Sequence, residues 1–424
     1  MLVGRSESGK QRLLGGLCQR TQPIGGIIGA VAEPIAIEEA RRRVLAEISP
    51  LEPEEIALTA ALGRVLAEDV TSPVDVPPFD SSAMDGFAVA AGAGGELRIA
   101  GESSAGSPLE GDLAPGTAIR ISTGAVVPEG TVSVVPVERT AEVDGSVDVG
   151  QPEEGHNIRR AGEDVRAGDM VLSRGTELGP AELGVLAGAG RAAALCARRP
   201  RVAVLATGDE LAPIGEPLDP GRIWSSNPLT LGGQVVRAGG EIVLSETVPD
   251  SAEATRDALA RALETADAVC VSGGVSVGEH DHVKGAFAAL GAQQRFWGVA
   301  LRPGKPTWFG MAAGVPAFGL PGNPVSAMVT FHLFARPALR ALQGADPDAS
   351  RATALLAEPV KRNPRRSQAV RVALEARDDG WHARPTGPQE SHLLTSMLGA
   401  DALALISAGE GEAAAGERVE IELL

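Results

Sequence analysis

The segment AVCVSGGVSVGEHD, residues 268–281, runs from an apolar stretch with no polar face straight into a glycine-rich turn. A strand apolar on both faces belongs in a parallel sheet covered by helices on each side. The flanking chain repeats the pattern: RVAVLAT at 201–207, a helical stretch at 228–238, EIVLSETV at 241–248, a helical stretch at 251–265, the quoted strand, and a helical stretch at 283–290. Strands alternating with helices specify a mostly parallel α/β sheet, here over residues 201–343. Ligands on such sheets bind at the carboxyl ends of the strands. TGDEL, residues 207–211, and SGGVSVG fall there.

Gly273, Gly274 and Gly278 surround Ser272 and Ser276, so unobstructed N–H groups and two hydroxyls can face an anion. Such a turn is ordinarily only a turn, but two more segments change that. RPGKPT, 302–307, supplies a cation: Lys305 is one of 4 lysines against 34 arginines, so a compact ammonium is selected where composition favours arginine. LPGNPVS, 320–326, with Pro321, Gly322, Asn323 and Pro324, is a shaped loop feeding a helix that starts near Val325. Together the three segments describe a phosphate-binding site. A Walker A loop is excluded, because Val299 and Pro306 stand where it needs glycine and Ser or Thr. GVSVG also matches a hydrolase nucleophile elbow, with Ser276 as nucleophile and His332 or His392 as base, and that alternative stays open.

The remaining chain divides by period. IAIEEARRRVLAEI, 35–48, is an amphipathic helix, and EEIALTAALGRVLAED, 54–69, reads as a second. From 74 to 165 short runs such as TAIRIS and VSVVPVE alternate with Gly and Pro, which makes a β-rich insert lobe. Helical signal returns over 180–195, with Pro180 in the first turn. The pieces 34–73 and 166–200 then form one discontinuous helical domain around the insert. AVRVALE and GERVEIELL, in period two, give a C-terminal β-domain over 350–424.

At 424 residues the chain needs more than one core. A net charge of -17 argues against nucleic acid or anionic membrane as the main partner, so substrate-binding positive charge must be local. Cys18, Cys196 and Cys270 have no metal-ligand spacing and suit a reducing cytoplasm as buried apolar residues. No run of 18 or more apolar residues is present, hence no membrane span. Residues 1–33 resemble a signal peptide only faintly, since Gln22 and Pro23 break the apolar stretch. They read as a disordered extension or the product of a start codon placed too early.

In order along the chain, TGDEL, SSN (225–227), SGGVSVGEHD, PGKP and LPGNPVS resemble the molybdopterin molybdenumtransferase family, the bacterial MoeA type that also forms the E domain of gephyrin and its plant counterpart. PPFDSSAMDGFAV (77–89), STGA (122–125) and NIRRAGEDV (157–165) are similar to that family's smaller lobe, and QAVRVAL (368–374) and ESHLLTSMLGADAL (390–403) to its terminal domain. The adenylyltransferases and CinA-type proteins that share the sheet module lack the SSAMDGFAV insert.

The resemblance implies insertion of molybdate into adenylated molybdopterin with release of AMP. That chemistry needs two oxyanions positioned against a phosphoanhydride, with a divalent ion, rather than a side-chain nucleophile. Thr207, Gly208, Asp209, Ser226, Asn227, Ser272, Gly273, Gly274, Ser276, Gly278, Gly304, Pro306, Pro321, Gly322 and Asn323 would bind the pterin nucleotide. Arg302, Lys305, Arg371, Ser391 and Ser396 would hold molybdate, and Glu210, Asp250 and Asp281 would ligate Mg²⁺. Lys305, Asp281, Asp85, Asp164 and Glu210 would be catalytic, although singly Asp85 reads equally as a turn residue and Glu210 as a helix-start acid. The family's dimers place Asp85 and Asp164 against the partner's sheet domain. A homodimer is therefore implied, served by a molybdopterin adenylyltransferase and serving downstream molybdenum-cofactor enzymes. Gephyrin's peptide-binding role leaves a non-catalytic scaffold as a further alternative. The chain departs from the family at Arg302, where lysine is usual, at Ser225, often aspartate, and at His282, commonly aromatic.

Overall fold

The computed structural model describes residues 33–276 and 282–424. Its central sheet has six strands in the order Glu241–Val248, Arg201–Thr207, Ala268–Ser272, Val315–Leu320, Trp308–Ala312, Gln293–Trp297. The first four are mutually parallel, and Trp308–Ala312 runs antiparallel to both of its neighbours. The double-sided apolar pattern has a direct cause. Val202, Val204, Ala268 and Cys270 face one core, with the helices Asn227–Arg237, Pro324–Thr330 and Arg336–Leu342, while Ala203, Leu205, Val269 and Val271 face another, with Ala252–Thr265 and Val283–Ala289. The helix Ala252–Thr265 begins at Ser251, whose Oγ accepts the Ala254 N–H at 3.1 Å.

The N-terminal helix Ile37–Leu45 buries Ile37, Ala40 and Val44 in the first of these cores. The expected second helix at 54–69 does not form. Pro53–Ala57 is instead a strand, paired antiparallel with Ala193–Ala197, and is followed by a 3-10 turn at Leu58–Ala60. Helix propensity there is a weak preference that a distant pairing partner overrides. The helix at Pro180–Gly188 does form, with proline in its first turn, but stops short of 195 because Ala193–Ala197 is that partner strand. The flanks of the insert thus join through a ladder and a shared core of Leu66, Val70, Leu178, Leu186 and Cys196.

The insert lobe carries its own six-stranded sheet, ordered Thr131–Pro136, Gly86–Ala90, Thr117–Ile121, Glu96–Ser103, Ser146–Asp148, Ala141–Val143, with one apolar cluster on each face. In the terminal domain Ser367–Arg377 pairs with Gly380–Pro385 on one side and Ala402–Ile406 on the other. Arg351–Leu356 and Arg418–Leu423 complete the circuit, so the sheet closes on itself and leaves no open edge between these strands. A short strand, Leu301–Arg302, leaves the central domain to pair in parallel with Ser367 and Gln368.

Cys196 and Cys270 are buried, and burial pushes the Cys270 thiol up to about 12. Both are inert at neutral pH. Cys18 and the segment 1–32 lie outside the described residues. Among those described, no helix is long and apolar enough to cross a membrane.

Candidate active site

The central strand ends at Ser272, and two glycines turn the chain there. Gly273 has φ +94°, and a Cβ on it would lie 2.6 Å from the Thr207 carbonyl oxygen. No other residue fits without moving that strand. The Gly273 N–H donates to Leu320 O at 3.0 Å, whereas those of Gly274, Val275 and Ser276 donate to nothing among the described residues. Three consecutive free N–H groups are an anion-binding arrangement. Gly278 and Asp281 lie outside the described residues.

The Ser272 hydroxyl does not face an anion, contrary to expectation. It donates to Pro321 O at 3.1 Å and accepts from Asn227 Nδ2 at 2.6 Å. The same amide nitrogen donates to Gly322 O at 2.7 Å. Asn227 therefore clamps the turn after the central strand to the LPGNP loop. Among the described residues its Oδ1 has no partner, nor has the buried Thr207 Oγ1 beside Gly273. Ser226, just ahead, gives that helix no side-chain cap, and Ser225 Oγ lies 2.9 Å from Thr247 Oγ1.

The Arg302–Thr307 loop starts where Arg302 sits opposite Gln368 in the terminal domain. At Gly304, φ is +119° and a Cβ would collide with Thr330 Cγ2. The turn is braced by Thr307 Oγ1 donating to Gly304 O at 2.7 Å, and Pro306 stiffens it. Arg302 and Lys305 are both exposed, and neither has a side-chain partner among the described residues. Two uncompensated cations thus flank the turn.

Arg371 is fully buried. Its Nε and Nη2 donate to Ser396 Oγ at 3.2 and 3.0 Å, and Nη2 also reaches Pro388 O and Glu390 O at 3.4 Å. Among the described residues Nη1 has no partner and no carboxylate pairs with the group. Burial pulls its pKa below the usual arginine value, opposed by the charge of Glu390. A buried cation without a counter-ion is costly, and an oxyanion would relieve it. Arg371 lines a pocket of about 390 Å³ with Arg302, Lys361, Arg362, Gln368 and Gln389, and no acid contributes to its wall. Ser391 Oγ accepts from Asn323 Nδ2 at 3.0 Å, tying the LPGNP loop to this domain.

Of the acids, Asp209 and Asp250 stand at the ends of neighbouring strands and exchange hydrogen bonds. The Asp250 N–H donates to Asp209 Oδ1 at 3.0 Å, and the Asp209 N–H to Asp250 Oδ2 at 3.4 Å. Each keeps one oxygen uncommitted. The Glu210 carboxylate folds back over Gly208, its Oε2 2.5 Å from where a Cβ on that glycine would sit. Among the described residues no three acids, histidines or cysteines converge as a preformed metal site. A hard cation that keeps most of its waters and takes one or two carboxylates fits this donor set. Sequence reasoning gave Asp209 to the nucleotide; its pairing with Asp250 across the sheet has no sequence signal.

On the insert lobe, Asp85 Oδ1 accepts from the Thr123 N–H at 2.6 Å and its hydroxyl at 2.9 Å, which holds the carboxyl below its usual pKa. Asp164 is exposed. Neither bonds to the described residues of the sheet domain within the chain. The hydrolase alternative has no support: no hydrogen bond joins Ser276 to His332 or His392, and burial pushes His332 down to about 3. The Ser276 carbonyl instead accepts from Lys284 Nζ at 2.5 Å.

Comparison with known proteins gives matches over most of the chain. Residues 35–190 match the family model described as MoeA N-terminal region (domain I and II), 203–341 the probable molybdopterin binding domain, and 353–424 the MoeA C-terminal region (domain IV). Relatives named molybdopterin molybdenumtransferase include one from Haemophilus influenzae, 37% identical over 92% of this chain and 98% of its own. The molybdopterin molybdenumtransferase 2 of Mycobacterium tuberculosis is 39% identical over 91% and 98%. The crystal structure of the molybdopterin biosynthesis MoeA protein from Pyrococcus horikoshii superposes with TM-score 0.78 at 29% identity, covering 92% of this chain and 100% of that one.

Proposed function

The chain belongs to the MoeA family of molybdopterin molybdenumtransferases, and from that premise we propose that it inserts molybdate into adenylated molybdopterin, releasing AMP. One observation carries this most directly. Arg371, buried without a counter-ion among the described residues, shares a pocket wall with Arg302, three residues ahead of Lys305 on the Arg302–Thr307 loop. On this reading one loop links the oxyanion pocket to the phosphate cradle.

The residues divide the work. The free N–H groups of Gly274, Val275 and Ser276 hold the substrate's phosphates. Asn227 keeps that turn in register with the LPGNP loop. Arg371 and Ser396, with Ser391 and Arg302, hold molybdate, and the Lys305 ammonium bears on the oxygens of the phosphoanhydride between the two sites. Asp209 or Glu210 with Asp250, and Asp281, would hold Mg²⁺, which supplies charge neutralisation at the phosphate oxygens. Asp85 and Asp164 complete the partner's site in a homodimer. The setting is the cytoplasm, with a molybdopterin adenylyltransferase supplying the substrate and molybdenum-cofactor enzymes taking the product. Molybdate-dependent AMP release from adenylated molybdopterin by the purified protein tests this; no release would favour a non-catalytic scaffold.

A further inference from the structure

The chain uses its two kinds of long cation differently. Every ion pair between described residues is made by arginine or histidine, none by lysine. The described lysines gather at the site instead: Lys284 bonds the cradle turn at Ser276, Lys305 stands on the connecting loop, and Lys361 lines the oxyanion pocket. Arginine, with a planar fork, suits braces, whereas a compact ammonium on a flexible stem suits a mobile anion.

Within the pocket the four cations are not equivalent. Arg362 is committed to Glu417 and to Ser407 O, and Arg371 to Ser396. Lys361 is exposed and makes no ion pair among the described residues, even with Glu412 directly opposite it in the short ladder of Val360–Lys361 with Glu412–Ala413. That ladder fixes its backbone at the pocket wall. Elsewhere the chain is strongly acidic, with net charge -17, and a dianion approaching such a protein is repelled except where local cations focus it.

We propose that Lys361 is the entry cation for a doubly charged tetrahedral oxyanion, capturing molybdate at the mouth of this pocket on the terminal-domain side, apart from the cradle that receives the pterin nucleotide. This role rests on the transferase function proposed above. Lys361 is a positioning and capture residue with no part in the bond-breaking step.

The test is steady-state kinetics of Lys361→Gln, Lys361→Glu and Lys361→Arg, varying molybdate and adenylated molybdopterin separately, with thermal melts to verify folding. Lys361→Gln should raise the molybdate KM roughly threefold to tenfold and Lys361→Glu more, with Lys361→Arg near wild type and kcat at saturating molybdate retained, as loss of a steering charge requires. The salt dependence of kcat/KM for molybdate should flatten in Lys361→Gln. An unchanged molybdate KM in folded Lys361→Gln, or equal shifts in the KM of both substrates, overturns the proposal. Failure of the transferase function is seen separately, as wild-type protein that releases no AMP.

Discussion

Asn227 and Ser272, on different elements of the sheet domain, meet at 2.6 Å, and the Asn227 amide that makes this bond also reaches Gly322 O at 2.7 Å. Two loops that must hold one substrate are fixed relative to each other by a single side chain. Removing it leaves polar atoms of both loops without their partner, a loss of about 1–3 kcal/mol when such groups are buried. Asn227→Ala should therefore lower the urea midpoint and, in protein still folded, raise the KM for adenylated molybdopterin. Wild-type values for both would show that the clamp is dispensable.

Arg371 places Nε and Nη2 on the Ser396 hydroxyl and none of its nitrogens on a carboxylate. Hydrogen bonds to a charged group contribute about 1.5–3 kcal/mol, so Arg371→Ala should raise the molybdate KM about tenfold or more. Arg371→Lys should not restore it, because an ammonium lacks the fork that spans Ser396 and an oxyanion together. Binding of molybdate alone, followed by calorimetry, checks both variants.

His332 bears on stability. Burial first, then the charges of Arg336, Arg41 and Arg237, push its pKa down to about 3, against about 6.5 for an unfolded histidine. Below 6.5 the unfolded chain takes up a proton that the folded chain refuses. Stability is then level above about pH 6.5 and falls as pH drops towards 3. Between pH 5 and 7 carboxylates with lowered pKa values contribute almost no slope, and comparison with a His332 variant separates this residue from the other five histidines. The urea midpoint of the wild type should decline from pH 7 to pH 5 and that of His332→Leu should stay flatter; parallel curves would assign the decline to another group.

Much of this architecture is legible in the sequence because its cause is local. A strand buried on both faces must be apolar throughout, which exposes Arg201–Thr207 and Ala268–Ser272 at once. The strand at Pro53–Ala57 is hidden because what makes it a strand is Ala193–Ala197, far along the chain. The same holds within the site. Spacing nominates Arg302, Lys305 and Arg371, but only the pairing of Leu301–Arg302 with the terminal domain brings Arg302 to the pocket of Arg371. Ser272 was legible as a site residue, yet its bonds to Pro321 and Asn227 make it a support for the cradle rather than a donor to the ligand.

Asp85 and Asp164 lie on the insert lobe, without bonds to the described residues of their own chain's sheet domain, while Lys305 lies on that domain. If each site is built from two subunits, Asp85→Asn and Lys305→Ala should each be inactive or nearly so, Lys305→Ala at least about tenfold down, or ~1.4 kcal/mol of barrier. Co-expressed, they should recover to about a quarter of wild type, because about half of randomly paired isologous dimers are mixed and each of those has one intact site of two. No recovery despite demonstrated mixed dimers would place each site within a single chain.

The most direct measurement follows AMP and pterin-bound molybdenum together in one reaction of purified protein, adenylated molybdopterin, Mg²⁺ and molybdate. Transfer at a joined cradle and pocket requires both products to appear in equal amounts, only when molybdate is present, with Lys305→Ala and Arg371→Ala slowed in both. AMP released at the wild-type rate without molybdate, or molybdenum bound with no AMP released, would contradict it.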